Sequence, residues 1–344
     1  MSVSLLVLCV AALLQEGGAR PEPQGCNNPA AVRVAEEALD LINQDRTGGY
    51  VLSLNRLYDV SHTSQQEKGG SFYKLTIDVS ETKCHITSRK PWKQCEVRGI
   101  ADVPVHGECE VSAVIDSQVE LKSYSCSLRE VPATSIVEAC PDCPTAENLN
   151  DPVVKETTNL SLKRFNEESR LGNYFTLDNI TKASSQWFHG PSYFVEFTIL
   201  ETVCSKKTEI SELGHCPLMD CQFAHRGFCL GSHVTIEEQF EIRDPFGKND
   251  QKPVEVMCEI YEPQAAANEE QAHKKADSGH TEDQHNNHTH LHTHEHVHTV
   301  PPTSDTSLSR PQGLLGSVVF QHSSPRSAPS AASCPGPQRH PRIH

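Results

Sequence analysis

The chain has 344 residues, room for about two domains. Its 30 lysines and arginines stand against 45 aspartates and glutamates, and a formal net charge of −15 excludes a nucleic-acid binder built on a basic stripe. No internal apolar run reaches the ~18 residues of a membrane-spanning helix, and fourteen cysteines are too many for a chain kept reduced in a cytosol.

The first element is the apolar run Leu5–Leu14, followed by small residues at Gly17 and Ala19. It is too short to span a bilayer and has the length of a secretory signal core, with cleavage after Ala19, so that residues 1–19 form a signal peptide. No basic residue precedes the run, and a buried N-terminal strand is the competing account. Three acceptor triplets agree with export: Asn159-Leu-Ser, Asn179-Ile-Thr and Asn287-His-Thr. Removing the signal removes Cys9 and leaves an odd number of cysteines, so one should be free or paired to another chain.

The body of the chain repeats itself. Gly70-Ser-Phe-Tyr-Lys-Leu-Thr-Ile-Asp-Val-Ser-Glu-Thr-Lys-Cys84 answers Gly190-Pro-Ser-Tyr-Phe-Val-Glu-Phe-Thr-Ile-Leu-Glu-Thr-Val-Cys204. Further on, Cys95 answers Cys216, Cys109 answers Cys229, and Cys126 answers Cys258; upstream, Asn43 and Tyr50 answer Asn166 and Tyr174. The period is too long for a solenoid unit, so the copies are whole domains, at 26–139 and 151–262, with a linker at 140–150.

Within each copy the periodicity changes once. Val32, Ala35, Ala38, Leu39 and Ile42 recur at helical spacing after Pro29, and Val153, Val154, Leu160, Leu162 and Phe165 do so more weakly after Pro152. Alternation follows: Tyr50, Leu52 and Leu54 on one side of a strand, then Tyr73, Leu75, Ile77 and Val79, with Tyr193, Val195, Phe197 and Ile199 as their counterparts. Period two with one apolar face predicts an antiparallel sheet buried on one side. The fold class is α+β: two tandem modules, each a helix packed on an antiparallel sheet. Position in the repeat pairs Cys84 with Cys95, Cys109 with Cys126, Cys204 with Cys216, and Cys229 with Cys258. Cys26 and Cys334 lie outside both copies and could pair end to end, which leaves Cys221 as the odd residue.

Between the copies stands Cys140-Pro-Asp-Cys-Pro144. A redox pair would need a thioredoxin-like βαβ context, and half a zinc site would need a second ligand pair in a reducing setting. Two readings remain. One is a staple that fixes the angle between domains. The other is a stiff projection, closed by a disulfide and flanked by Pro141 and Pro144, that carries Asp142 at its tip and loses little entropy on entering a cleft. A carboxylate offered to the open position of a catalytic zinc would displace the reacting water.

From Pro263 to His344 the chain turns polar, and a disordered tail is expected. His288, His290, His292, His294, His296 and His298 alternate with other residues, which suits either a solvated spacer or weak binding of divalent metal ions. Residues 301–333 are rich in proline and serine and are expected to bury too little apolar surface to fold. The chain lacks a phosphate-cradling glycine loop, Gly-x-Ser-x-Gly and His-Glu-x-x-His, so a non-enzyme without a cofactor is expected.

The duplicated module, the doubled cysteine pattern, the Cys140–Pro144 motif, Cys26 ahead of the first helix and Cys334-Pro-Gly together resemble the fetuins, a branch of the cystatin superfamily with two tandem cystatin-like domains. Ile42-Asn-Gln-Asp-Arg46, Gly49-Tyr-Val-Leu-Ser-Leu-Asn-Arg56, Ala183-Ser-Ser-Gln-Trp187 and Gly190-Pro-Ser-Tyr-Phe194 look like the B branch of that family. The resemblance implies a secreted inhibitor of astacin-family zinc endopeptidases, with Asp142 blocking the catalytic zinc and a role in protecting the egg coat. It also implies a second contact at the hairpin Gln186-Trp-Phe-His-Gly190. Here Phe188 and His189 depart from the Gln-x-Val-x-Gly of cystatins that inhibit papain-like proteases. Trp187 is either an exposed anchor or a ring packed under the loop. Ser64-Gln-Gln-Glu-Lys-Gly-Gly70 departs further, so the first module is expected to inhibit cysteine proteases weakly or not at all. The alternative functions are a calcium phosphate carrier that uses acidic residues on the first module's open sheet face, as in the A branch, and a cystatin-type cysteine protease inhibitor. Lys74 beside Asp78 and Glu81 dilutes that acidic array.

Overall fold

A computed structural model describes residues 25–65, 70–187, 190–207, 216–220, 223–234, 254–261, 315–321 and 326–341. The proposed signal peptide at 1–19, Cys9, Phe188, His189, Cys221, Asn287 and the histidines from His288 to His298 lie outside the described residues.

The first module opens with α1 (Pro29–Asp45). Pro29 suits the first turn, and the Asn28 side chain accepts a hydrogen bond from the Ala30 N–H at 2.8 Å. The buried stripe is Ala31, Val34, Ala35, Ala38, Leu39 and Ile42. Val32, expected on that stripe, sits at its margin. The helix crosses a sheet of β1 (Tyr50–Gln65), β2 (Gly70–His85), β3 (Val105–Ile115) and β4 (Val119–Glu130), paired antiparallel in that order. Leu52 and Leu54 join the core with Ile77 and Val79, but Tyr50 turns away from it toward the second module, which corrects its expected place on the same face. A register shift between Tyr50 and Leu52 permits this turn.

A short helix α2 (Ala133–Ala139) leads into the linker, where β5 (Thr145–Ala146) already belongs to the second sheet. Helix α3 (Pro152–Glu168) is capped by the Asp151 side chain, which accepts from the Val153 N–H at 2.8 Å. Its buried positions are Val154, Thr157, Thr158 and Ser161, a more polar set than α1 presents. Gly231 lets it approach: a Cβ there would lie 2.3 Å from the Ser161 hydroxyl oxygen. The sheet beneath is β5, β6 (Asn173–Trp187), β7 (Pro191–Ser205), β8 (Arg226–Val234) and β9 (Glu255–Tyr261).

The repeat is visible in the bonds as well as the strands. Asn43 bridges the backbone of Leu52 at 2.9 Å both ways, and Asn166 bridges Phe175 at 2.8 and 2.9 Å. Thr82 donates to the Val51 carbonyl, and Thr202 donates to that of Tyr174. Tyr174 therefore answers Val51, and Tyr50 answers Asn173, one place from the match expected by residue type. Among the described residues, six disulfides close: Cys26–Cys334, Cys84–Cys95, Cys109–Cys126, Cys140–Cys143, Cys204–Cys216 and Cys229–Cys258.

Two stretches of the tail, 315–321 and 326–341, depart from expectation. Within the stretch expected to stay unfolded, β10 (Gly316–Phe320) pairs parallel with Tyr124–Leu128 of β4. Further on, Arg339 and Gly336 donate backbone hydrogen bonds to Asn55 and Leu57, Ser330 and Ala331 donate to Asp59, and Cys334 is tied to Cys26. Such a segment needs no core of its own. Backbone groups, the carboxylates of Asp45, Asp59 and Asp78, and one disulfide hold it to the first module.

Candidate functional site

The modules meet through a compact polar and aromatic junction. Arg98 donates to both Glu196 carboxylate oxygens at 2.7 and 2.6 Å and lies 3.0 Å from Glu81. Lys182 reaches Glu81 at 3.3 Å and Glu130 at 3.2 Å. The Tyr50 hydroxyl meets Thr181 Oγ1 at 2.7 Å, and the Arg98 guanidinium lies 4.4 Å from the centre of the Tyr50 ring. The rings of His85 and Phe228 stack at 5.2 Å. Burial holds the His85 imidazole down at about 4, although Glu196 pulls the other way. Sequence reasoning missed this junction. Its one signal was Glu81, a carboxylate inside the duplicated Glu-Thr-x-Cys. Its counterpart Glu201 is buried too, and there burial alone would raise the carboxyl, but hydrogen bonds from His225 and Asn173 pull it below its ordinary value.

The junction sets the stage for the linker. The Cys140 N–H closes α2 on the Ile136 carbonyl at 2.7 Å, and the Cys143 N–H donates to the Cys140 carbonyl at 3.1 Å. Cys143 packs against a small core of Val103, Val131 and Ile136, and Pro144 is buried. The loop is thus rooted at both ends, while Pro141 and Asp142 stand exposed at its tip.

The hairpin between β6 and β7 lies beside it. Thr145 and Ala146 pair with Ser185 and Ser184, the Ser185 hydroxyl donates to Glu147, and Gln186 Nε2 donates to the Asp142 carbonyl at 2.6 Å. Trp187 is 70% exposed, which decides against a ring packed under the loop. Gly190, at φ 126°, adopts a conformation open to glycine. The structure therefore brings Asp142, Gln186 and Trp187 to one end of the molecule. A trough of about 850 Å³ runs from Asp142, Cys143 and Gln186 past Phe194 to Leu230 and Met257. Asn159 on α3 and Asn179 on β6 are exposed.

The first module's outer sheet face is less acidic than its carboxylates suggest. Arg56 and Arg326 hold the buried Asp78 at 2.5 and 2.6 Å, and Arg326 also reaches Glu108 at 2.8 Å.

Two cystatin-like modules joined by a disulfide-closed projection define a tandem cystatin-type protein. A cystatin domain model matches residues 143–232. Fetuin-B of Bos taurus is 38% identical over 275 residues, 76% of this chain and 67% of that protein. Among solved structures, mouse fetuin-B in its inhibitory complex with human meprin beta aligns with a TM-score of 0.59 at 36% identity, over 70% of this chain and 74% of that one. Mouse fetuin-B in complex with crayfish astacin aligns at 0.55 and 35% identity, with the same coverage. The chain belongs to the fetuin family.

Proposed function

We propose that this protein is a secreted inhibitor of astacin-family zinc endopeptidases, and that the linker delivers the Asp142 carboxylate to the catalytic zinc of the protease. The observation that carries the reading is the loop itself: a short disulfide ring, rooted at both ends, with an exposed aspartate at its tip. Mouse fetuin-B, solved with astacin and with meprin beta, supports the class of partner. An Asp142 oxygen in the metal's open position takes the place of the reacting water, and the nucleophile is gone. The rigid ring keeps the entropy lost on entry small. The Gln186–Gly190 hairpin supplies the second contact, and Trp187 is its anchor. By the family resemblance, the biological setting would be protection of the egg coat from premature proteolysis.

The test is an inhibition titration of the mature chain against an astacin-family protease and against papain, beside Asp142→Ala. Loss of astacin inhibition in the variant supports the zinc contact. Inhibition that survives in Asp142→Ala sinks it and leaves the motif as a staple.

A further inference from the structure

Two parts of the proposed contact surface come from different places in the chain, and one hydrogen bond joins their tips. Gln186 is the penultimate residue of β6, where its register is set by Ser192 across the hairpin and by the Thr145–Ser185 pair at the edge. Its side-chain amide donates to the Asp142 carbonyl at 2.6 Å. The other bonds of the linker tip are local: the Cys140–Cys143 disulfide and the Cys143 N–H to Cys140. Among the described residues, Gln186 supplies the only hydrogen bond between the second module and residue 142. The bond uses the main-chain carbonyl and leaves the Asp142 carboxylate free to point outward.

We infer that Gln186 is a positioning residue: it braces the linker against the second module's hairpin and fixes the direction of the Asp142 carboxylate. The inference rests on the inhibitory reading above. A ring anchored only at its root can swing as a unit, and a clamp at the tip removes that motion before binding. The linker and the hairpin then reach a protease as one body with a fixed separation. The glutamine of the cystatin-type motif is turned inward, so its amide is committed within the molecule and withheld from the cleft of a papain-like enzyme.

The experiment uses the full chain with Gln186→Ala, Gln186→Glu and Asp142→Ala. Two quantities are read: amide hydrogen exchange at Asp142, Cys143 and Thr145 in the free protein, and the inhibition constant against an astacin-family protease. Both Gln186 variants should exchange faster at those amides. Both should inhibit about 3- to 10-fold more weakly, the scale of one net hydrogen bond. The ranking is diagnostic. Glutamate keeps the size of glutamine but presents an oxygen to a carbonyl oxygen, so a brace predicts that Gln186→Glu is at least as impaired as Gln186→Ala. Space filling predicts the reverse order, and that order, or unchanged exchange, overturns the inference. If the wild-type chain does not inhibit at all, the inhibitory reading falls and the exchange measurement alone decides the brace.

Discussion

The guanidinium of Arg98, from the first module, grips the carboxylate of Glu196, from the second, through two hydrogen bonds of 2.7 and 2.6 Å. It also faces Glu81, so one buried cation serves two carboxylates and ties the modules together. Removing one partner of such a cluster leaves uncompensated buried charge, which typically costs about 3–5 kcal/mol. Arg98→Ala should therefore lower the midpoint of chemical denaturation and broaden the solution scattering envelope as the modules loosen. An unchanged midpoint would show that Glu196 and Glu81 do not depend on Arg98 for their stability.

Trp187 offers a cleaner separation of binding from folding. Its ring is mostly in solvent, so Trp187→Ala should leave the thermal midpoint near that of the parent. If the ring is an anchor, inhibition should weaken by roughly 30-fold, equivalent to about 2 kcal/mol. Equal inhibition constants for parent and variant would remove the hairpin from the contact surface.

His85 predicts a pH dependence. Its folded value, about 4, lies below the ordinary imidazole value of 6.5, so between these limits the unfolded chain binds the proton and the folded chain does not. Stability should be full above pH ~6.5 and fall as pH drops toward ~4, by about 3 kcal/mol from this one group. His85→Phe keeps a ring against Phe228 but cannot titrate. Stability plotted against pH should be flatter for that variant across the window, and parallel curves would place the dependence elsewhere.

Arg326 lies far along the chain yet helps neutralise Asp78, whose side chain is fully buried. Arg326→Ala should destabilise the first module by about 1–3 kcal/mol, because a fully buried carboxylate loses a charged hydrogen-bond partner. Double mutation with Asp78→Asn should recover part of the loss. Simple additivity of the two changes would mean that the pair contributes nothing.

Much of the architecture could be read from the residues because duplication writes it twice. A proline at the head of each helix, alternating strands and cysteines in matching places each have a local physical cause, and each occurs in both copies. Identity between copies was a poorer guide than bonding. Tyr50 and Tyr174 looked equivalent, yet the Asn43–Leu52 and Asn166–Phe175 brackets align Tyr50 with Asn173. Tyr50 had left the common pattern because it serves the junction. Arg98, Glu196 and Lys182 were not legible, since charges distant in sequence carry no period that marks them as neighbours. The exposed loop at Asp142 followed from its cysteines and prolines, but the bond from Gln186 depended on how two modules sit together. The strand at Gly316–Phe320 was hidden for a different reason: it is held by its neighbours' backbone groups, and composition does not record those.

The Cys26–Cys334 disulfide has a consequence for the order of events on the ribosome. Its partners are 308 residues apart, and at roughly 5–20 residues per second the second thiol emerges on the order of 15 to 60 s after the first. Once Glu130 has emerged, the first module's helix and its antiparallel strands can be in place for the rest of that interval, while the thiol ahead of the helix waits. Strand β10 and the segment that carries Cys334 arrive only after both modules have been made. The first of the two modules to be made is thus finished after the second, and its closing bond can be formed only once the chain has been translated past Cys334.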